Sequence, residues 1–334
     1  MYEQYFGLTG KPFQLNPDPN FFFGSRGHKR AFAYLQYGLY QGEGFIVITG
    51  EIGAGKTTLV RALLEQLDHE KVVAAQLVST QLDAEDMLRA VSAAFGLPIK
   101  GTDKAQMLAT LEAFLCSLAT QSKRALLIVD EAQNLTPRAV EELRMLSNFQ
   151  LGDKALLQSF LVGQPQLRTL MHSPEMKQLR QRVIASYHLG PLDRGETEFY
   201  IEHRLKRVGW NYNPRFGVRA YELIHEHSGG IPRQINAVCN RLLLACYLGE
   251  KDRIDPPDVE AVVDEMRDEL GPMSLNVHKP ASAVVNGLPV EEIAAEMSSR
   301  MDRIERTVTA VIDLLHKLVR GKQQAAADAK APQP

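Results

Sequence analysis

The chain has 334 residues, of which 45% are hydrophobic and 23% are charged, as is ordinary for a globular protein with a hydrophobic core. Its net charge of −2 excludes a protein that attracts nucleic acid or acidic lipid by overall charge. The N-terminus has no signal-peptide pattern, and no apolar run approaches the roughly 18 residues of a membrane span. The three cysteines lack metal-ligand spacing, and Cys239 and Cys246 are typical of buried thiols, so we expect a cytoplasmic protein without a transmembrane segment.

The first part of the chain is rich in proline, glycine and aromatic residues. This composition predicts an N-terminal arm over 1–30 that packs on a domain through its phenylalanines, which are Phe13, Phe21, Phe22 and Phe23.

Apolar runs then alternate with helical patterns, and this alternation predicts an α/β domain over 31–190. The predicted strands are 45–50, 72–79, 125–130, 157–163 and 183–189. The helical patterns lie near 57–67, 84–95, 104–120, 137–148 and 174–182. Because continuous apolar strands that alternate with helices are typical of parallel sheets, we expect a five-stranded parallel sheet with helices on both faces.

Strand patterns end near residue 190, and helical patterns fill 191–270. Aspartate caps helices and proline suits a first helical turn, so four helices are predicted, with start signals at Asp193, Pro214, Pro232 and Pro256. These helices predict a small all-helical lid domain. Residues 271–289 are typical of a linker and residues 321–334 of a disordered tail.

A last helical pattern covers 290–320, where apolar residues recur at alternating steps of four and three. The repeat consists of Val290, Ala294, Met297, Met301, Ile304, Val308, Val311, Leu315 and Leu318. It predicts a coiled-coil seam for self-assembly or for attachment to another protein. Two alternatives stay open: a helix that docks on its own chain, and an interfacial membrane helix, which the mixed charges of the polar face disfavour.

Residues 50–58 read GEIGAGKTT and match the pattern G-x-x-x-x-G-K-[ST] between a predicted strand and a predicted helix. Small residues let backbone N–H groups close on phosphate oxygens, at the positive N-terminus of the next helix. We expect Lys56 to bind the β- and γ-phosphates of ATP, and the Thr57 hydroxyl to bind Mg²⁺. The expected nucleotide-binding residues are Gly50, Glu51, Ile52, Gly53, Ala54, Gly55, Lys56, Thr57 and Thr58.

The predicted strand ALLIVD ends at Asp130, and Glu131 follows it. A carboxylate in the place of Asp130 can hold Mg²⁺ through water, and Glu131 is the candidate base that orients the attacking water. An exposed loop acid is the alternative interpretation of Glu131. Added cations would stabilise the charge that grows on the γ-phosphate, and three arginines are candidates for this: Arg233 in SGGIPRQIN, and Arg180 and Arg182 in LRQRV.

Taken together, these segments resemble the motifs of AAA+ ATPases. GEIGAGKTT resembles the Walker A motif, LLIVDE the Walker B motif, LRQRV the arginine-finger segment and GIPRQIN the sensor 2 motif of the lid. A narrower group, the ExeA-type ATPases of general secretion, is similar in KPFQLNPDPNFFFGS, DEAQNLTPRAVEELRMLSNF, GQPQL and YIEHRL. Within that group, the chain most resembles ATPases found with exosortase and exopolysaccharide (PEP-CTERM) systems. The resemblance covers about residues 1–270.

The resemblance implies a P-loop NTPase of the AAA+ type, with Arg233 as a sensor in cis. It also implies that Arg182 acts as an arginine finger on the nucleotide of a neighbouring subunit, with Arg180 as the second candidate. The position after the fourth strand usually carries a short polar residue, whereas this chain reads LVGQP, and Gln164 is the candidate there. Some ExeA-type proteins continue into a membrane span and a cell-wall-binding domain, which this chain does not show, so direct contact with peptidoglycan is not expected.

We therefore expect a Mg²⁺-dependent, oligomeric ATPase that powers or switches a cell-envelope export or exopolysaccharide assembly. Its C-terminal helix would bind an envelope-associated protein, with peripheral attachment at the inner membrane. The alternative is a DNA-binding ATPase, as in the TniB-type transposition relatives, supported by the basic residues Arg26, His28, Lys29, Arg30, Arg204, Lys206, Arg207 and Arg215. The acidic balance disfavours it. A nucleotide-gated scaffold with slow hydrolysis is a third interpretation.

Overall fold

The computed structural model describes residues 1–78, 82–98 and 103–270, and two short strands, Val284–Val285 and Leu288–Pro289. The chain divides into two compact units, Met1–Asn276 and Val277–Pro334. In the second unit the two short strands pair antiparallel. The predicted linker, apart from these strands, and the predicted coiled-coil helix and tail lie outside the described residues. No described helix combines the length and the hydrophobicity that crossing a bilayer requires.

A five-stranded parallel sheet forms the centre of the first unit. Its strands are β1 (Phe45–Gly50), β2 (Val72–Val78), β3 (Arg124–Asp130), β4 (Leu157–Gly163) and β5 (Val183–Leu189). The order across the sheet is β2-β3-β4-β1-β5, which confirms the predicted sheet. Because every strand runs the same way, the last residues of β1, β3 and β4 lie along one edge. Ligands of open parallel sheets bind at this edge.

Twelve α-helices accompany the sheet in the described part of the chain. They are α1 (Tyr2–Tyr5), α2 (Arg26–Gln41), α3 (Lys56–Glu65), α4 (Ala84–Ala94), α5 (Lys104–Thr120), α6 (Pro137–Leu146), α7 (Pro165–His172), α8 (Lys177–Arg180), α9 (Arg194–Arg207), α10 (Val218–Ser228), α11 (Pro232–Leu248) and α12 (Pro256–Leu270).

Both faces of the sheet are covered, as predicted. Successive side chains of a strand point to opposite faces, so neighbouring residues of β1 enter different cores. Ile46 and Ile48 pack with Leu35 of α2 and Leu59 of α3. Val47 belongs to the other core, to which α4, α5 and α6 contribute Met87, Leu111 and Leu143.

Helix α2 begins at Arg26, within the range that was predicted to be a loop-like arm, so that prediction is wrong for 26–30. The Ser25 hydroxyl caps the helix by accepting a hydrogen bond from the His28 N–H. Gly38 explains why the helix packs so closely on β1, since a Cβ there would lie 2.4 Å from Cγ1 of Ile46. The tertiary contact with the sheet therefore stabilises a helix that its glycines and tyrosines only weakly predict.

The helical pattern at 174–182 is interrupted: a 3₁₀ turn, Pro174–Met176, precedes the short α8. Helix α7 had no counterpart among the predictions. Between α6 and β4, two strands of two residues each, Gln150–Leu151 and Lys154–Ala155, pair antiparallel.

The region 191–270 contains four helices, α9 to α12, as predicted. Asp193 caps α9 in a capping box with Glu196, whereas Pro214 does not begin α10. Residues 215–216 instead form a short strand that pairs parallel with 253–254. Helix α10 therefore begins only at Val218.

These helices share a core with the arm, and that core is separate from the two cores of the sheet. Tyr2, Phe6 and Phe13 are buried among Tyr200, Ile224 and Val238. Phe21 and Phe23 pack against the same core, and Phe22 packs against the core beneath α2 and α3. The predicted packing of the arm through its phenylalanines is confirmed. The division into an α/β domain and a lid over 191–270 remains a proposal, which the separate core supports.

Candidate active site

The loop between β1 and α3, residues 51–55, adopts at two positions a backbone conformation that favours glycine. Gly53 and Gly55 adopt φ values of +83° and +97°, which other residues rarely adopt. Gly55 is also the N-cap of α3, so the first N–H groups of the helix face the space beside the loop. The structure thus places the GEIGAGKTT motif in the strand–loop–helix context that phosphate binding requires.

Lys56 is buried at the first turn of α3, with 6% of its surface exposed. Its Nζ donates hydrogen bonds to the carbonyl oxygens of Gly50 and Glu51, at 2.8 and 2.9 Å. Burial lowers the pKa of the Lys56 ammonium, and the nearby carboxylates of Glu131, Asp130 and Glu51 oppose that shift. The ammonium is therefore held at the loop by two neutral carbonyl oxygens. A charged phosphate oxygen accepts a stronger hydrogen bond and would replace them.

Thr57 and Asp130 meet although they are far apart in sequence. The Thr57 hydroxyl donates to Oδ2 of Asp130 at 3.1 Å, and Oδ1 of Asp130 accepts from the Glu131 N–H at 2.9 Å. The strand order brings the end of β3 to the start of α3. Hydroxyl and carboxylate oxygens are the donor types that Mg²⁺ prefers, so this pair fits a magnesium ion bound with ATP.

Glu131 is held by two glutamines. Its Oε2 accepts hydrogen bonds from Nε2 of Gln133 at 2.6 Å and from Nε2 of Gln164 at 3.0 Å. The N–H of Gln164 donates to Oε1 of Gln133 at 2.9 Å, which links the two amides. The backbone of Glu131 lies in the left-handed region, with φ +53°. This conformation directs the carboxylate along the edge of the sheet at which β1, β3 and β4 end. These hydrogen bonds argue against the alternative interpretation of Glu131 as an exposed loop acid.

Gln133 was not among the predicted site residues. Its only signal in the sequence is its position two residues after Glu131 in DEAQ. No periodicity or motif assigned a role to that position, because its partner Gln164 comes from the end of a different strand.

Arg233 lies in the first turn of α11, directly against the phosphate loop. Its N–H donates to the carbonyl of Gly53 at 3.1 Å, and a Cβ on Gly53 would lie 2.3 Å from the Cβ of Arg233. The guanidinium is exposed and lines the same cleft as Lys56 and Thr57. The predicted helix start at Pro232 is confirmed, and it places Arg233 in the first turn of α11.

The cleft beside the loop has a volume of about 490 Å³, and we call it the nucleotide cleft. The arm forms much of its wall, through 14–18 and 21–23. Arg204 holds the arm there, since its guanidinium donates to the carbonyls of Pro12 and Gln14 at 2.5 and 3.4 Å and lies 4.7 Å from the Phe21 ring centroid. This role of the arm and of Arg204 was not predicted.

Several basic residues that supported the DNA-binding alternative are engaged within the chain. His28 and Arg204 are buried, and burial lowers the pKa of His28. Arg26 pairs with Asp193 and Glu196, and Lys206 pairs with Glu202. The exposed residues that remain in this set are Lys29, Arg30, Arg207 and Arg215. Four of the eight residues on which that alternative depended are therefore buried or paired within the chain.

Arg180 and Arg182 do not line the nucleotide cleft of their own chain. Arg182 is partly buried and donates to the carbonyl and hydroxyl of Ser147, at 3.2 and 3.1 Å, and to Asn148. Arg180 is exposed, and among the residues that the structure describes its side chain makes one hydrogen bond, to the carbonyl of Met171 at 3.2 Å. Of the predicted site residues, the structure brings together Lys56, Thr57, Asp130, Glu131, Gln164 and Arg233.

This fold and this site define a P-loop ATPase of the AAA+ type. Residues 39–171 match the family described as AAA domain. The chain is similar to General secretion pathway protein A of Aeromonas hydrophila, with 39% identity over 274 residues. That alignment covers 80% of this chain and 50% of the relative, so the chain spans about half the length of the curated protein it matches.

Solved structures with the same fold include two archaeal proteins. The ORC2 protein of Aeropyrum pernix in ADPNP–ADP complexes is 19% identical, with a TM-score of 0.55 over 72% of this chain and 67% of that chain. Cdc6p of Pyrobaculum aerophilum is 17% identical, with a TM-score of 0.56 over 71% of this chain and 66% of that chain. At these identities the similarity shows the fold alone.

Proposed function

We propose that this chain binds Mg²⁺-ATP in the nucleotide cleft, hydrolyses it, and uses the cycle to power or switch an export assembly of the cell envelope. The observation that carries the catalytic part is the position of Glu131. Its carboxylate is held by two amides beside the Thr57–Asp130 pair, and Arg233 approaches from the opposite wall.

Binding of the triphosphate begins at the phosphate loop. The N–H groups at the start of α3 donate to phosphate oxygens, and the Lys56 ammonium turns from the carbonyls of Gly50 and Glu51 to the β- and γ-phosphates. Thr57 and Asp130 would hold the metal ion, which would neutralise charge on the phosphates. The arm and Tyr200, which line the remaining wall, are placed to enclose the base and ribose.

Glu131 supplies the proton acceptor for hydrolysis. Gln133 and Gln164 occupy its Oε2, so Oε1 is left to accept a hydrogen bond from the attacking water. The water oxygen forms a bond to the γ-phosphorus, the bond from that phosphorus to the β–γ bridging oxygen breaks, and the water proton passes to the carboxylate. Gln133 is a positioning residue in this step, because it acts through Glu131 and Gln164.

Arg233 connects the reaction to the lid. Its guanidinium would bind the γ-phosphate from α11, while its N–H keeps the helix against Gly53. When the γ-phosphate leaves, this ion pair is lost, and α11 is then held at the loop by the backbone bond to Gly53 alone. The lid would then rotate against the sheet, which converts bond cleavage into movement.

We also propose that active sites are completed between copies of the chain. Arg182 is the first finger candidate by resemblance, whereas the side chain of Arg180 is the more exposed and the less engaged in the structure. An arginine finger must reach the nucleotide of a neighbouring subunit. Because Arg180 is exposed, it is as good a candidate as Arg182.

The envelope role rests on the similarity to General secretion pathway protein A. The heptad pattern at 290–320 would supply the contact to an envelope-associated partner at the inner membrane. An exopolysaccharide system is the finer proposal, and it rests on the resemblance of the motifs. Deletion of 290–320 should leave ATP binding intact and remove the protein from the membrane fraction of cells. Unchanged fractionation would exclude this attachment.

ATP turnover per chain, measured over a wide range of protein concentration with Glu131→Gln as the blank, tests the enzymatic proposal. A rate per chain that rises and then saturates indicates sites completed between subunits. A rate equal to the blank at every concentration would refute hydrolysis by this site.

A further inference from the structure

A second concave site lies on the sheet, away from the nucleotide cleft. It is a recess of about 490 Å³ whose lining comes from β1, β5, α7 and α8, and it shares no lining residue with the nucleotide cleft. Thr49, Ser186 and His188 lie on the sheet face that carries Val47, where α4 to α6 cover the other strands. We call this site the β5 recess.

The polar side chains that line the β5 recess can donate hydrogen bonds, and the two arginines among them are cations. Arg168 and His172 of α7 and Arg180 of α8 line one side, and Thr49, Ser186 and His188 line the other. Within the described part of the chain, no aspartate or glutamate lines the recess. A concave surface with cations and without carboxylates concentrates positive potential and attracts anions.

Some arginines of the chain are neutralised by carboxylates, and within the described residues those of the β5 recess are not. Arginines that pair with carboxylates in the described part are Arg26, Arg89, Arg144, Arg194, Arg219, Arg241, Arg253 and Arg267. The exposed side chain of Arg168 makes no ion pair within that part, and Arg180 reaches only the carbonyl of Met171. Two guanidinium groups therefore face the β5 recess with donors to spare.

We infer that the β5 recess binds a phosphate-type oxyanion. Guanidinium groups offer paired N–H donors that match the oxygens of a phosphate. On the opposite side, the hydroxyls of Thr49 and Ser186 and the imidazole of His188 supply further donors. A volume of about 490 Å³ admits an oligophosphate or a phosphate ester rather than a bare ion alone.

The β5 recess is connected to the phosphate loop by one hydrogen bond. Nδ1 of His188 lies 3.0 Å from the Thr49 hydroxyl, and Thr49 directly precedes Gly50, where the loop begins. An anion that engages His188 would act on the end of β1. Oxyanion binding and nucleotide binding would therefore change each other's affinity, as linkage requires.

The oxyanion has two conceivable sources. It is a free oligophosphate, or it is the triphosphate held by a second copy of the chain. The second source rests on the proposed function, with Arg180 as the finger and Arg168 as an additional cation.

Isothermal titration with tripolyphosphate tests the β5 recess directly. The Lys56→Ala chain, with its phosphate loop disabled, is the starting protein, and Arg168→Gln is the test substitution within it. We expect Arg168→Gln to weaken binding by about tenfold or more, because a charge-assisted pair is lost. Arg138→Gln is the matched control, since Arg138 is exposed on α6, outside the recess. The control should bind as the starting protein does.

His172→Gln provides a second variant with the same expected direction, and the melting temperature of each variant shows that the fold is kept. Absence of titratable binding in the starting protein overturns the inference. Equal binding by the folded Arg168→Gln and Arg138→Gln variants overturns it as well.

Mixing two defective chains distinguishes the sources. Arg168→Gln, which keeps its phosphate loop, is mixed with Lys56→Ala, which keeps its recess, and ATP turnover is followed. Turnover in the mixture above the sum of the separate chains identifies the neighbour's triphosphate as the oxyanion. Arg168-dependent tripolyphosphate binding without that gain identifies a free oligophosphate. If wild-type turnover never exceeds the Glu131→Gln blank, the proposed function fails, and the titration still decides the recess.

Discussion

The two walls of the nucleotide cleft differ in how their polar groups are held. On the sheet wall, the side chains of Lys56, Thr57 and Glu131 each make hydrogen bonds within the wall itself. On the opposite wall, which the arm, α9 and α11 form, the Arg233 guanidinium is exposed and Arg204 holds the arm by backbone carbonyls.

This difference separates two tasks. The sheet wall is organised before a ligand arrives, as electrostatic stabilisation of a transition state requires. On the opposite wall, the Arg233 guanidinium is exposed and can respond to phosphate, whereas Arg204 fixes the arm. We expect substitutions in the sheet wall to lower turnover and substitutions in the opposite wall to affect coupling and affinity.

The largest effect is expected from Glu131→Gln. The substitution removes the proton acceptor while keeping size and shape, so turnover should fall by about 10²- to 10⁴-fold. ATP binding should persist, because the phosphate loop is unchanged. Steady-state turnover and equilibrium nucleotide binding measure the two quantities. Turnover near the wild-type rate would move the base to another residue.

Gln133→Leu should give the next largest effect. It removes one donor to Glu131 and the acceptor for the Gln164 N–H, so kcat should fall by about tenfold with KM for ATP nearly unchanged. Because both amides act on one oxygen, Gln133→Leu and Gln164→Leu should be less than additive. Gln36→Leu is the control, since Gln36 is exposed on α2. A change in KM alone would contradict a positioning role.

Arg233→Ala tests the task of the opposite wall. We expect the variant to bind ATP but to lose the coupling between hydrolysis and lid movement, because the phosphate no longer holds α11. Nucleotide-dependent protection of the lid from protease measures that coupling. Arg233→Lys should restore the charge but only part of the protection, since lysine lacks the paired donors. Wild-type turnover together with wild-type protection in Arg233→Ala would refute the assignment.

Arg204→Met should detach the arm without disturbing the chemistry. The substitution leaves the buried carbonyl of Pro12 and the partly buried carbonyl of Gln14 without this donor, so the free energy of unfolding should fall by about 2 kcal/mol. KM for ATP should rise by less than about tenfold, and kcat should change little. Arg207→Met, at an exposed position of the same helix, is the control. An unchanged KM would exclude the arm from the nucleotide cleft.

The smallest effect concerns pH and His28, which links α2 to the phosphate loop through the carbonyl of Ala54 at 3.1 Å. Burial lowers the pKa of His28 below its ordinary value of about 6.5, although Ala54 and Glu196 oppose this shift. The unfolded chain then binds more protons, so the stabilisation is present above about pH 6.5 and is lost as pH falls through the folded pKa.

Melting temperatures between about pH 7.5 and 5.5 should therefore fall less steeply in His28→Gln than in the wild type. His69→Gln, at an exposed position, should follow the wild type. Parallel curves for all three proteins would show that His28 does not contribute to the acid sensitivity.

Much of the α/β region was predictable because its signals are local. Five apolar runs gave the strands, and α5 was predicted with the bounds it has. The glycines at 53 and 55 indicated the loop, because the conformation they permit is a property of single residues. Where local patterns were weak, as in α2 and α7, packing against the sheet decided the structure.

The sequence by itself therefore determined the strands, most helices, the phosphate loop and the identities of Lys56, Thr57, Asp130 and Glu131. Only the tertiary structure decided that Gln133 and Gln164 share one carboxylate oxygen, that the arm lines the cleft and that Arg204 is buried. Periodicity and backbone conformation are written in neighbouring residues, so a sequence displays them. Contacts between distant segments depend on strand order and on packing of the cores, which no short stretch of the chain contains.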